Sequence, residues 1–202
     1  MSLCLMSGCL EASCESLNKL GGLGVTVWVF NPRVGSESAQ YSIDEDGWVT
    51  DITLPTDESL YSFTSKRDSH SAGWEAVVNE GSTSFFQHNA TIKVFPNNPC
   101  EDKTISELLG TTVGLIVENA NQEFYLYGAF NGMGVTEAVQ DWGNVASTDV
   151  SAIITLAGQE RKPPLRIFDT DYQTTLAKIL ALTNCPDTSD CNRDPNGDNS
   201  GG

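Results

Sequence analysis

Alternating apolar and polar positions dominate the chain and predict a protein built mainly of β-strands. Near the start, Val25, Val27 and Val29 occupy every second position, which is the pattern of a strand with one buried face. Trp28 and Phe30 lie on the opposite face of the same strand. We therefore expect that second face to be covered as well.

The same alternation predicts further strands at 47–54, 60–66, 82–95, 112–117, 123–130 and 150–158. In the first of these, Trp48, Thr50, Ile52 and Leu54 share a face. In the long strand 82–95, every second residue from 86 to 94 lies on one face: Phe86, His88, Ala90, Ile92 and Val94. The strands 112–117 and 123–130 form the clearest hairpin, because the ENANQ segment between them is rich in turn residues.

Two helices are indicated by capping-box patterns. Thr104 with Glu107 precedes two leucines, and Gly110 marks the stop. Thr170 with Gln173 repeats the pattern. The apolar positions after it are spaced for one helical face: Tyr172, Leu176, Ile179 and Leu180.

These elements predict a mainly β protein: an antiparallel β-sandwich or half-barrel with a flanking short helix and a C-terminal helix. The predicted organisation is an N-terminal arm (1–20), a β domain (21–168), the C-terminal helix (169–183) and a flexible acidic tail (184–202).

Charge narrows the function classes. The 202 residues include 27 Asp+Glu against 11 Lys+Arg, a formal net charge of −16. Such a surface repels polyanions and disfavours tight nucleic-acid binding through phosphates, although a negative channel wall lets DNA slide without adhering. Solubility is the simpler explanation of the acidity. No window approaches the ~20 apolar residues that span a bilayer, and the N-terminus is a poor signal peptide.

The cysteines do not define a metal site. Cys4, Cys9 and Cys14 recur every five residues, which is not a usual zinc-ligand spacing. Cys185 and Cys191 flank a short acidic loop. They are candidates for a local disulfide under oxidising conditions, whereas free thiols are expected in a bacterial cytosol.

Catalytic motifs are missing: there is no G-x-S-x-G, no phosphate loop, no H-E-x-x-H and no C-x-x-C. His70 lies in a polar stretch that predicts an exposed loop. His88 lies on the apolar face of a strand and is interpreted as a core or interface histidine. We predict no catalytic residue, no cofactor and no metal.

An acidic run extends from Glu37 to Glu58 with no Lys or Arg. Calcium is one interpretation, since hard cations take several oxygen ligands. Asp44-Glu45-Asp46 lacks the alternating ligand pattern of an EF-hand loop, so a solvated turn is favoured.

Several long alternating strands with few prolines also indicate sheet edges that need a cover. A ring-forming subunit covers such edges against its neighbour. An ordinary sandwich with protected edges explains the pattern equally well.

A series of segments in fixed order carries a family resemblance. The most specific is the hairpin that ends in Tyr127-Gly128-Ala129-Phe130-Asn131-Gly132, followed by the I-T-L-x-G-x-E strand of 154–160. The others are Gly21-Gly22-Leu23 with VTVWVF, Val49-Thr50-Asp51-Ile52, Tyr61-Ser62-Phe63, Phe85-Phe86-Gln87, 104–109 and Pro163-Pro164. Together they resemble the tail-tube and related tail or neck ring proteins of phages, particularly of a lineage infecting Bacteroidetes-type bacteria.

The resemblance implies two packed antiparallel sheets with a flanking helix at 104–109. It implies copies, usually six, joined by sheet pairing into rings that stack into a tube. The expected partners are further copies, other tail proteins such as tape measure, baseplate or neck proteins, and double-stranded DNA as passing cargo. The expected location is the virion tail, after synthesis in the host bacterial cytoplasm. Asp51 and Glu58 are the candidate lumen-facing acids, and 31–47, 64–81 and 133–149 are predicted loops available for ring contacts.

Alternatives remain open at this point. Tube, terminator and neck ring are not distinguished, and a tube of an extracellular contractile injection system differs only in genomic context. A carbohydrate- or surface-binding β-sandwich is the alternative from another class, with Trp28, Trp48, Trp74 and Trp142 as candidate stacking residues. A hydrolase has only scattered carboxylates in its favour.

Overall fold

A computed structural model describes residues 22–66, 69–78, 84–95, 99–141 and 151–184. The strands are β1 (Leu23–Phe30), β2 (Arg33–Val34), β3 (Glu37–Ser38), β4 (Gln40–Ile43), β5 (Val49–Thr53), β6 (Tyr61–Thr64), β7 (Ser71–Val77), β8 (Phe85–Val94), β9 (Thr112–Asn119), β10 (Phe124–Tyr127), β11 (Met133–Asp141), β12 (Ser151–Glu160) and β13 (Leu165–Ile167). The helices are α1 (Pro99–Leu108) and α2 (Tyr172–Ala181). The predicted arm 1–20, the predicted tail after its first residue, Cys185 and Cys191 lie outside the described residues.

The main sheet has 11 strands and consists of two parts that meet at β9. The first half-sheet has the order β6-β1-β9-β10-β13-β5-β4, and the second half-sheet has the order β11-β12-β8-β7. They join where the start of β9 pairs with Met133 and Gly134 of β11. Pairing within this sheet is antiparallel except between β13 and β5, at Ile167 and Val49. The predicted mainly β fold with a short helix and a C-terminal helix is confirmed.

The first hydrophobic core lies between the two half-sheets. It contains Val27 and Val29 of β1, Ile92 of β8 and Ile154 of β12, all of them buried. Burial of one such aliphatic side chain contributes ~1.5–3 kcal/mol. Leu108, at the end of α1, packs into the same core, so the flanking helix is part of the sandwich.

The second core lies on the opposite face of the first half-sheet. Trp28 and Phe30 of β1 point into it, and Ile179 of α2 closes it. Both faces of β1 are therefore buried from Val27 to Phe30, as expected, whereas Val25, predicted to share the buried face, is exposed. The Phe30 ring lies over Gly114 of β9, where an added Cβ would overlap the ring. Glycine is required there because the aromatic ring fills the space that a side chain would occupy.

Helix starts were predicted less accurately than helices. Helix α1 begins at Pro99, five residues before the predicted cap Thr104. Helix α2 has Asp171 as its N-cap, because the Asp171 carboxylate accepts a hydrogen bond from Thr174 N at 2.9 Å. Leu180, predicted to lie on the apolar face, is exposed.

Strands also form where loops were expected. The predicted loops 31–47, 64–81 and 133–149 contain β2 to β4, β7 and β11. Strand β7 is rich in Ala, Gly and Glu, which have weak strand preference, and it gains its conformation from pairing with β8 along its whole length. Tertiary pairing thus overrides the local signal.

The predicted shared face of Trp48, Thr50, Ile52 and Leu54 is interrupted at Val49. The register between β4 and β5 shifts near Ile43, which pairs with Val49. Val49 is therefore buried together with Ile52, whereas Thr50 is only partly covered. A bulge rotates side chains out of strict alternation.

Candidate assembly edge and aromatic cleft

Strand β7 forms one end of the second half-sheet. Its seven residues pair with β8 on one side, from Ser71 with Thr91 to Val77 with Phe85. No strand among the described residues pairs with its other side. The outward N–H and C=O groups of such an edge are a template for another strand.

The composition of β7 offers little protection against pairing. Its sequence, SAGWEAV, contains no proline and no lysine, and Glu75 is its one charged residue. Two other ends of the sheet, β4 and β6, have four residues each. Among the described residues, strand β11 pairs with β9 only at Met133 and Gly134, so its remaining residues form a further edge, and they include two acids, Glu137 and Asp141. Short edges and edge charges discourage association, so β7 is the edge best suited to it.

Exposed apolar side chains mark the same hairpin. Trp74 is 50% exposed and Val78 is 76% exposed. Trp74 lies opposite His88 in the ladder, and its ring packs edge-on against Phe86 with centroids 5.4 Å apart. The sequence interpretation missed this strand. The alternation of Ala72, Trp74 and Ala76 with polar or small residues is the signal that could have found it.

A cleft of about 450 Å³ opens beside Trp74, between β7 and the ends of β9 and β10. Tyr125 and Tyr127 of β10 line it, together with His70 and Pro164. None of the described residues that line it is Asp, Glu, Lys or Arg. The cleft is therefore aromatic and uncharged in a strongly acidic chain.

The prediction that His70 lies in an exposed loop is wrong, because the residue is only 5% exposed. It directly precedes β7, and its Nε2 lies 3.3 Å from Val25 O of β1. That carbonyl can only accept, so Nε2 carries the proton. Burial lowers the pKa of His70. The polar neighbours in the sequence concealed this position.

His88 confirms its prediction as a core histidine. Its Nε2 donates to Lys162 O at 3.0 Å, and its Nδ1 accepts from Gly128 N at 3.2 Å. This pairing defines the neutral ring with the proton on Nε2. Burial lowers the pKa of His88, although the Lys162 carbonyl and Glu160 oppose the shift.

The turn 128–132 explains the most specific part of the sequence pattern. Gly128 and Gly132 adopt φ of 61° and 76°, which favours glycine. The buried Glu160 Oε1 accepts from Phe130 N at 3.0 Å and from Asn131 N at 2.8 Å. These motif residues therefore fasten β10, β11 and β12 together.

Gly158 completes this fastening. An added Cβ at 158 would overlap the Gly132 carbonyl oxygen and would press on Met133. Because the backbone of β12 passes so close to the turn, the glycine in I-T-L-x-G-x-E has a packing role. The pattern that carried the family resemblance is therefore structural at these positions.

The acidic run is divided among separate turns. Asp44 Oδ1 accepts from Asp46 N and Trp48 N, which shapes one turn, and Glu37 accepts from Thr56 N at 2.8 Å. Among the described residues, no group of three metal-ligating side chains is found.

The two candidate lumen acids have different surroundings. Asp51 is exposed on β5, opposite Ser42. Glu58 is half-buried, and its two oxygens accept three hydrogen bonds from Asn31, at 3.0 to 3.1 Å. The structure does not bring the two acids into one site, and their place in a lumen stays a prediction.

The tryptophans do not form one platform. Trp28 is buried in the second core, and Trp48 packs against Phe168 and Arg166. Trp142 lies outside the described residues. Among the described tryptophans, Trp74 alone faces the cleft.

Neither described helix is long and apolar enough to cross a membrane. No protein-family model matches the chain, and comparison with curated proteins and with solved structures finds no significant match. The resemblance to phage tail proteins therefore stays a prediction from the sequence.

Proposed function

We propose that this protein is a virion structural subunit that assembles with copies of itself into a tail tube or a tail or neck ring. In this role it forms a conduit for the genome and has no catalytic function. The observation that carries the proposal is the outer edge of β7. No described strand pairs with that side of its seven residues, which include one charged residue and no proline.

The edges of the subunit permit a ring as well as a dimer. The free side of β7 belongs to the second half-sheet, while β4 and β6 are the ends of the first. Pairing of β7 with one of those different edges on the next copy is a head-to-tail contact. Head-to-tail contacts continue from copy to copy and close into a ring when the rotation between copies closes, whereas β7 paired with β7 stops at a dimer.

The charge of the chain suits a conduit. A formal net charge of −16 disfavours phosphate capture, so a genome passing along an acidic wall is not held there. Asp51 is the better of the two candidate wall residues, because Glu58 is already engaged by Asn31.

The test is Gly73→Lys. Position 73 is half-buried on β7 with nothing within 4 Å of an added Cβ, so the monomer accommodates the new side chain. A lysine on the edge opposes strand pairing. We expect the unmodified protein to form rings or tubes in negative-stain microscopy and to sediment as an oligomer. The variant is expected to sediment as a monomer.

Gly134→Lys is the matched control. Gly134 is also half-buried with nothing within 4 Å, but it lies on β11, which pairs with β12 and with the start of β9. This variant should still assemble. An unmodified protein that stays monomeric at every concentration and salt, or one that stops at a two-fold dimer, would contradict the proposal.

A further inference from the structure

We propose that the aromatic cleft beside β7 binds a neutral saccharide ring, with Trp74 as the stacking surface and Tyr127 as a hydrogen-bond donor. The inference does not rest on the proposed assembly function, because described residues of one copy line the cleft.

The size and lining of the cleft suit a small ring ligand. Its volume of about 450 Å³ lies within the range of small-molecule sites. Trp74, Tyr125 and Tyr127 supply the aromatic surface, and Pro164 lies in the same wall. Aromatic side chains grouped in one concave site are more informative than scattered exposed ones.

Trp74 is held in position and remains accessible. Its ring packs against Phe86, with the planes 60° apart, while half of its surface stays exposed. The C–H groups on one face of a sugar ring are electron-poor and pack against the negative face of an indole. A partly covered, fixed indole is therefore a suitable platform.

The polar groups select a ligand with hydroxyls. Tyr127 lines the cleft, and most of its side chain is buried. Burial and the neighbouring Tyr125 raise the pKa of Tyr127 to about 12, so it remains a donor near neutral pH. A phenol hydroxyl in the wall of a cleft can donate a hydrogen bond to a hydroxyl of a bound ligand.

The absence of charge in the lining favours a neutral ligand. No Asp, Glu, Lys or Arg is found among the described lining residues, and His70 is held neutral by burial. An ionic ligand would therefore meet no counter-charge from the described residues of the cleft. A saccharide combines an apolar ring face with hydroxyls and needs no counter-charge.

The experiment uses isothermal titration calorimetry on the full chain with glucose, N-acetylglucosamine, cellobiose and chitobiose. We expect saturable binding of at least one of these sugars. Trp74→Ala should weaken it about tenfold or more, whereas Trp74→Tyr, which restores an aromatic face, should recover part of the affinity. Tyr127→Phe, which removes only the hydroxyl, should weaken it by about threefold to tenfold.

The controls separate the cleft from other apolar surfaces. Val78→Ala removes an exposed apolar group outside the cleft and should leave binding unchanged. Gly73→Lys, with its side chain on the opposite face of β7 from Trp74, should also retain it, whether or not assembly is lost.

Three results would overturn the inference. The first is no saturable binding of any of the four sugars. The second is sugar binding that is indifferent to Trp74→Ala in a variant whose far-UV circular dichroism is native. The third is loss of binding in monomeric Gly73→Lys, which would assign the cleft to a contact between copies.

Discussion

The turn 128–132 and the edge of β7 differ in whether their backbone polar groups have hydrogen-bond partners. In the turn, side chains from other strands accept the free N–H groups: Glu160 takes those of Phe130 and Asn131, and His88 takes that of Gly128. On β7, the outer row of N–H and C=O groups has no strand partner among the described residues.

The difference separates what builds the subunit from what remains available to a partner. The turn contains the most specific sequence pattern, and its residues hold the two half-sheets in register. The edge contains small residues without a recognisable motif. A family resemblance based on the turn therefore reports the fold, while the function that we propose depends on the edge.

Gly158→Val is the substitution expected to disturb the packing of the turn 128–132 most strongly. The added side chain would overlap the Gly132 carbonyl, so we expect the free energy of unfolding to fall by about 3 kcal/mol or more. Urea denaturation followed by circular dichroism measures it. Gly134→Val, where an added Cβ meets nothing within 4 Å, should change the value by less than about 0.5 kcal/mol. Equal losses in the two variants would show that β12 does not need a glycine at 158.

Glu160→Ala tests the carboxylate in the turn. It leaves the partly buried N–H groups of Phe130 and Asn131 without a protein acceptor, which should cost about 1 kcal/mol. Glu160→Gln keeps one accepting oxygen and should cost less. Hydrogen exchange of the two amides should accelerate more in the alanine variant. Unchanged exchange would mean that other groups satisfy these amides.

Acid should weaken the fold through the histidines. Burial lowers the folded-state pKa of His70 and His88 below the usual value near 6.5, so the unfolded chain binds more protons. Their contribution is complete above pH ~6.5 and declines as the pH falls below it, by at most about 1.4 kcal/mol per pH unit for each histidine.

Urea denaturation between pH 7.5 and 5.5 measures this decline. The chain has 2 histidines, so a His70→Gln, His88→Gln variant isolates their share. Hydrogen bonds to Thr56 and to Thr174 lower the pKa of Glu37 and of Asp171, whose contributions are lost only nearer pH 4. An equal slope in the double variant would assign the decline to other groups.

Trp74→Ala should have the smallest effect on stability, at most about 1 kcal/mol, because half of the side chain is already in water. Trp28→Ala, in the second core, should cost about 3–5 kcal/mol. The same urea curves supply both values. A large loss for Trp74→Ala would mean that the indole supports the hairpin and does not serve as an exposed surface.

Much of the fold followed from local patterns. Strict alternation predicted β1, β8 and the β9–β10 hairpin, because burial on a sheet face imposes a period of two residues. The register of His88 with Ile92 was also predicted, and so was the burial of both faces of β1. Because these strands lie inside the sheet, their buried positions are occupied by apolar residues that the sequence shows directly.

The candidate site was predicted less well, because its strand and its histidine have weak local signals. Strand β7 is stabilised by pairing with β8. His70 is buried because β1 and the other residues that line the cleft cover it. Both causes are contacts with other elements, which the local alternation pattern does not contain. The bulge between β4 and β5 was missed as well, because strict alternation does not predict a shift of register.

The sequence by itself determined that this chain is mainly β, acidic and equipped with two short helices. Periodicity and charge are local or summed properties that need no knowledge of neighbours. Only the tertiary structure decided that Glu160 and His88 fasten the turn 128–132, that Glu58 is engaged by Asn31, and that β7 is left as an edge. Hydrogen bonds between residues distant in the chain depend on which strands become neighbours, and a one-dimensional pattern does not specify that.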